Sequence, residues 1–258
     1  MGLKTTIYNF FSAVTVEPAV FLYSFALMSA FPAQSAFFYG LVCRNKFNDS
    51  SICDNLSNGN FTKEENIVQA STAQWNTFLR FFSTLPPLVL VFVYGAVSDN
   101  ISRRLALILP LFGPCIDMIC HLIVIHKPTL PLQFFIIGNL ANGLTGSWPT
   151  FWMAMTSYVS CVTTEENRLK RFGIANSMFY ISVTIASFLG GYLVANTSYT
   201  FIFSLSLGIY ILGIIYIFIC IKEVQREVGY YKLLKCNLFE FNTYNTTNVK
   251  VCFPLLTV

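Results

Sequence analysis

Six stretches of this chain, about residues 18–42, 74–98, 105–126, 131–158, 172–195 and 200–221, are nearly free of charged side chains. An α-helix rises about 1.5 Å per residue, so roughly 20 apolar residues cross the ~30 Å hydrocarbon layer of a bilayer. Each block meets that length. Hydrophobic residues make up 55% of the chain and charged residues 11%, against about 25% charged in soluble domains. Water cannot be the solvent for such a surface, and lipid can. The fold class predicted is an all-α membrane protein whose six transmembrane helices form one bundle. Pro32, Pro86, Pro87, Pro114 and Pro149 lie inside the blocks; membrane helices tolerate proline where neighbours satisfy the freed backbone groups. The first block begins only after Glu17-Pro18 and is too long for a secretory leader, so it is read as a retained span.

Six spans place both termini on one side, and cations decide which. Arg44, Lys46, Lys63 and Lys127 fall on one side. Lys4, Arg103, Arg104, Arg168, Lys170, Arg171, Lys222, Arg226, Lys232, Lys235 and Lys250 fall on the other. The positive-inside rule then makes residues 1–17 and the tail 222–258 cytosolic. The small net charge of +4 sits in these boundary clusters, which argues for membrane orientation and against a nucleic-acid partner. The outer loop 43–73 carries three N-x-Ser/Thr acceptors, at Asn48, Asn55 and Asn60, which predict a glycoprotein. Asn100 matches the same pattern but lies on the cytosolic side, where it stays bare. Cys43 and Cys53 are the two cysteines in the polar loop, where an oxidising compartment can pair them.

Charges inside a span are costly and usually face a cavity, so each is a candidate site. Asp117 lies mid-way along the third block, with His121 four residues later on the same helix face. A carboxylate beside an imidazole either relays a proton and binds a polar solute, or is a buried pair joining helices. Arg80, near the outer end of the second block, either steers anions inward or reaches the headgroups. Asn139 and Asn142 add amides to the fourth block, suited to interhelical hydrogen bonds. Ser182, Ala186 and Gly190 recur every four residues in the fifth block and read as a packing stripe. Cys115 and Cys120 beside Asp117 and His121 do not project to one point along a helix, so no metal site is expected. No phosphate loop, H-E-x-x-H, G-x-S-x-G or paired CxxC is present, leaving no basis for an enzyme or a cofactor.

The turn between the second and third blocks reads Gly95-Ala-Val-Ser-Asp99-Asn-Ile-Ser102-Arg103-Arg104. It resembles G-x-x-x-D-x-x-G-R-[RK], the signature of major facilitator transporters at this place, with Ser102 where the second glycine stands. The resemblance implies that Gly95, Asp99, Arg103 and Arg104 form a cytosolic gating motif that locks and releases as helices rock. It also implies that this bundle is the N-terminal half of a two-bundle fold working by alternating access around a midplane site. Glu17-Pro18-Ala-Val-Phe-Leu22, Phe25-Ala-Leu27, Pro32, Arg168, Arg171 and Leu189-Gly-Gly191 narrow the likeness. Together they resemble the proton-coupled folate transporter family, which includes the thymic stromal and lysosomal solute carriers, over about residues 16–224.

That resemblance implies transport of a small organic solute, folate-like or another organic anion, across the plasma or lysosomal membrane. Three positions depart from the folate branch: Asn139 aligns with a helix-four arginine, Ser147 with a nearby aspartate, and Asn176 with a helix-five carboxylate tied to proton coupling. An amide does not take up or release a proton near neutral pH. In the folate branch the first-loop cysteine pairs with a later loop, an alternative to a Cys43–Cys53 bridge. The last residues, Val251–Val258, form an apolar stub too short to span. A chain ending there is expected to transport only by self-association or with a second six-helix half. The competing expectation is a non-transporting short form that assembles with a full-length transporter.

Overall fold

A computed structural model describes residues 16–47, 53, 61–100 and 102–221, apart from the side chains of 97, 99 and 100. Among the described residues every long element is a helix. They are α1 (Glu17–Phe47), α2 (Thr62–Asn100), α3 (Arg103–His126), α4 (Phe135–Leu144), α5 (Ser147–Val162), α6 (Glu165–Asn196) and α7 (Tyr199–Cys220). Local chemistry marks several starts. The Ser102 hydroxyl caps α3 by accepting from the Leu105 N–H at 3.1 Å, and Ser198 caps α7 by accepting from Phe201 N–H at 3.4 Å. Glu64 and Glu65 open α2, and Glu165 and Glu166 open α6, where carboxylates favour the positive end of the helix dipole.

Five helices, α1, α2, α3, α6 and α7, are each long and apolar enough to cross a membrane. The expected fourth span departs from the single helix read from the sequence. It is two helices in series, α4 and α5, preceded by a short 3-10 turn at Leu132–Phe134. The break falls at Gly146, whose φ is +90°, followed by Ser147 at φ +53°. Both angles lie in the left-handed region that glycine enters freely and serine does not. A β-carbon on Gly146 would come within 2.5 Å of the Thr150 β-carbon. Pro149, in the first turn of α5, donates no backbone hydrogen bond and fits a helix start. The Leu144 carbonyl freed by the break accepts the Tyr94 hydroxyl from α2.

The two pieces together still run back along α3. The Phe135 ring lies tilted 4.9 Å from that of His121, a β-carbon on Gly138 would meet Asp117, Asn142 lies against Gly113, and Arg103 donates to the Ser157 carbonyl at 3.2 Å. Their register is antiparallel from one end of α3 to the other.

α1 packs mainly on α6 and α7. Its contact with α6 uses the small-residue stripe: Ser182, Ala186 and Gly190 are buried, and the Ser182 hydroxyl donates to the Phe21 carbonyl at 2.8 Å. Close approach without a side chain between the backbones is how membrane helices gain dispersion contacts. At the core, Tyr23 stacks on Phe151 at 4.4 Å and meets Tyr210 edge-on at 5.8 Å. Glu17 at the start of α1 is fully buried and pairs with Arg171 of α6 at 2.9 Å. The outside of the bundle is apolar instead: Phe92 and Phe188 are each 79% exposed, as a lipid-facing or helix-facing surface requires.

The α1–α6 contact makes a paired prediction. A β-carbon on Gly190 would lie 2.7 Å from the Ser29 carbonyl oxygen and 3.2 Å from its α-carbon, whereas one on Gly191 would meet nothing within 4 Å. Gly190→Ala should therefore destabilise the bundle by about 1–3 kcal/mol through overpacking. Gly191→Ala should be neutral or stabilise by about 0.5–1 kcal/mol through helix entropy. Thermal unfolding of both variants in detergent checks the difference in sign.

Candidate functional site

α1 presents Phe31, Gln34, Ser35 and Phe38 on one face, because residues three and four apart share a helix side. α2 brings Asn76, Leu79 and Arg80, α3 brings Asp117 and His121, and the start of α4 brings Phe135 and Asn139. These side chains line a cavity of about 100 Å³. One water needs only ~10–15 Å³ by the same kind of measure, so the space holds several waters or one small polar group.

Asp117 is 8% exposed and His121 5%. The carboxylate is held from two sides unequally. Gln34 donates from Nε2 to Asp117 Oδ2 at 2.9 Å, joining α1 to α3. Oδ1 is buried with no hydrogen bond among the described residues and lies 3.6 Å from His121 Nδ1. Oδ1 presses instead toward α4, where a β-carbon on Gly138 would sit 2.5 Å away. His121 Nδ1 contacts the Asp117 carbonyl oxygen at 2.8 Å. A carbonyl can only accept, so Nδ1 carries the hydrogen and Nε2 is the atom free to gain or lose one. Phe135 and Phe203 flank the imidazole, each 4.9 Å away between ring centres. A buried carboxylate oxygen without a donor is costly. The arrangement therefore favours whatever supplies Oδ1 with a proton, a cationic imidazole or a bound donor.

Of the residues singled out from the sequence, Asp117, His121, Arg80 and Asn139 converge on this cavity. Arg80 is exposed and lines the cavity from α2, while Asn139 spends Nδ2 on the Phe135 carbonyl at 2.9 Å. Asn142 and Asn176 do not join them. Asn142 packs against Gly113 with its Oδ1 buried and without a hydrogen bond, and Asn176 is exposed on α6. Gln34, Ser35 and Asn76 are site residues that charge and motif reasoning passed over. Gln34 had a visible signal, being the amide in the otherwise apolar first block.

The turn motif reaches the ends of the bundle. Arg103 is buried, and as a cation it donates to the Ser157 carbonyl in the last turns of α5. Arg104 lies over the Phe218 ring of α7 at 4.1 Å. A β-carbon on Gly95 would meet nothing within 4 Å. The side chain of Asp99 is outside the described residues, as are Asn48, Asn55 and Asn60. Cys43 and Cys53 are joined in a disulfide with α-carbons 5.9 Å apart. Cys115 and Cys120 are buried free thiols, and no group of three or more His, Cys, Asp or Glu suited to a metal occurs among the described residues.

A bundle of apolar helices with a charged cavity between them defines a multi-pass membrane protein. The chain belongs to the Major Facilitator Superfamily, whose family profile matches residues 18–230. It is similar to the chicken lysosomal proton-coupled steroid conjugate and bile acid symporter, at 26% identity over 78% of this chain and 45% of that protein. It is also similar to the rat proton-coupled folate transporter, at 26% identity over 82% of this chain and 46% of the relative. The chain thus spans less than half the length of these curated relatives, and the match falls on their N-terminal halves.

The Gln34–Asp117 bond generates a further test. Gln34→Leu removes the side-chain donor from Asp117 Oδ2 and should cost about 1–3 kcal/mol at neutral pH. Adding Asp117→Leu should return part of that loss, because the buried acceptor disappears with its donor. A double-mutant cycle by thermal unfolding measures this coupling.

Proposed function

We propose that the chain supplies the N-terminal half of a carrier that moves a small organic anion across a membrane by alternating access, coupled to protons at Asp117 and His121. The observation that carries this reading is the meeting of a buried carboxylate, an imidazole and Arg80 in one cavity between helices. Four helices contribute to the cavity, so any shift of α1 or α4 relative to α3 changes the hydrogen bonds that Asp117 receives. Arg80 supplies the cationic partner that an anionic solute needs. The names of both relatives include proton coupling, and their solutes, folate, steroid conjugates and bile acids, are organic anions. The positions that align with folate-branch charges carry amides or a hydroxyl here, Asn139, Asn176 and Ser147, so protons are assigned to the α3 pair. Both termini are placed in the cytosol on the distribution of cations.

The order of events follows from these groups. A proton entering from the acidic side is taken at Asp117 Oδ1, which neutralises the carboxylate, or at His121 Nε2, which sets a cation beside it. The anion of the solute then balances Arg80 and the protonated pair. Return to the other side releases both, since neither binds well without the other.

Uptake of radiolabelled folate and of a steroid sulfate into cells expressing the chain, at mildly acid and neutral external pH, tests the proposal. Acid should stimulate uptake. Asp117→Asn should lower it about 10- to 100-fold, the worth of a charged hydrogen bond of about 1.5–3 kcal/mol. Arg80→Gln should raise the half-saturating concentration more than it lowers the maximal rate. Uptake that ignores both pH and Asp117→Asn would remove the coupling role. Absence of uptake, together with absence of solute binding to the purified chain, would remove transport by this half alone.

A further inference from the structure

A second and larger cavity, about 450 Å³, opens at the end of the bundle where α1, α3 and α6 finish and α7 starts. Its lining is graded. Along α1 it runs from Phe37 through Leu41 to Arg44, one helix face read toward the helix end at Phe47. Val124 lines it from the last turn of α3 and Val194 from the last turn of α6. Ser198, at the cap of α7, follows them at the polar end. Along α1 and α6 the deep positions are thus apolar and the boundary positions, Arg44 and Thr197, polar, while Val124, Ile125 and Pro128 add apolar wall and Ser198 and Thr200 add hydroxyls. Arg44 is the charged residue of the lining, and no carboxylate lines the cavity among the described residues. Its neighbour Cys43 is tied to Cys53, which anchors this end of α1.

From this gradient we infer a binding site for one anionic phospholipid, with the phosphate on Arg44 and an acyl chain along Phe37, Leu41 and Val194. The lining matches that molecule in order as well as in kind. A lipid headgroup sits at the height of helix ends, and its chains descend beside the apolar turns below. A soluble anion would use Arg44 and leave the apolar wall unfilled, while a neutral lipid would leave the arginine without a counter-charge. The site is lined by other residues than the Asp117 cavity, on an adjacent face of α1 and nearer the helix end, and does not depend on the transport reading. Phe37 adjoins both regions, since its ring lies 6.4 Å from that of His121.

Native mass spectrometry of the purified chain, released from nanodiscs of phosphatidylcholine doped with phosphatidylglycerol, tests the site. One phosphatidylglycerol should stay bound in preference to phosphatidylcholine. Arg44→Gln should weaken that retention about tenfold, a change that one charged contact can supply. Lys46→Gln, on an exposed residue of the same helix outside the lining, should leave it unchanged. Val194→Phe, which fills the apolar end, should reduce retention of phosphatidylglycerol even with Arg44 intact. Equal retention by wild type and Arg44→Gln would overturn the proposal. So would displacement of the lipid by glycerol phosphate as effectively as by phosphatidylglycerol, which would mark a free-anion site instead.

Discussion

The hydrocarbon layer offers no hydrogen bonds, so each backbone N–H and C=O within it must find a partner in the protein. That constraint explains both the uniform helicity of the bundle and the way its one interruption is handled. Where the chain breaks at Gly146, the bonds do not vanish. The Thr145 N–H reaches the Ala141 carbonyl at 3.0 Å, the Gly146 N–H reaches Gly143 at 3.0 Å, and Tyr94 serves Leu144. Non-helical backbone is tolerated there because Gly146 is buried and α2 and α3 supply contacts to the turn.

The same scarcity of partners gives meaning to the few polar groups left over. At the boundaries they are matched: Glu17 with Arg171, Arg103 with the Ser157 carbonyl, Arg104 with the Phe218 ring. These contacts hold helix ends against one another and belong to the bundle's rigidity. In the interior the balance is incomplete. Asp117 receives one strong hydrogen bond at Oδ2, and its other oxygen waits between an imidazole and a glycine face. In the proposed carrier, this acceptor would be the element that a proton switches between two states.

Small residues and aromatics divide the packing between them. Gly190 and Ser182 let α1 and α6 meet backbone to backbone, while Tyr23, Phe151 and Tyr210 pack ring against ring between α1, α5 and α7. At the Asp117 cavity Gln34, Asn76 and Asn139 set polar groups among Phe31, Phe38 and Phe135.

Apolar block length was enough to read five helices of membrane-crossing length, because hydrophobic thickness is a one-dimensional requirement. Charge inside a block was enough to single out Asp117, His121 and Arg80, which line one cavity, because a charge within an apolar block is expensive unless it faces a polar space. What the blocks left open depends on neighbours. The split at Gly146 follows from the fit of Thr150 and Tyr94 around one glycine, and no run of apolar residues records it. Gln34 became a site residue, and Asn176 did not, through the rotation of α1 and α6 about their axes. Side-chain direction around a helix is set by the partners it packs against, and in this chain those partners are tens of residues away.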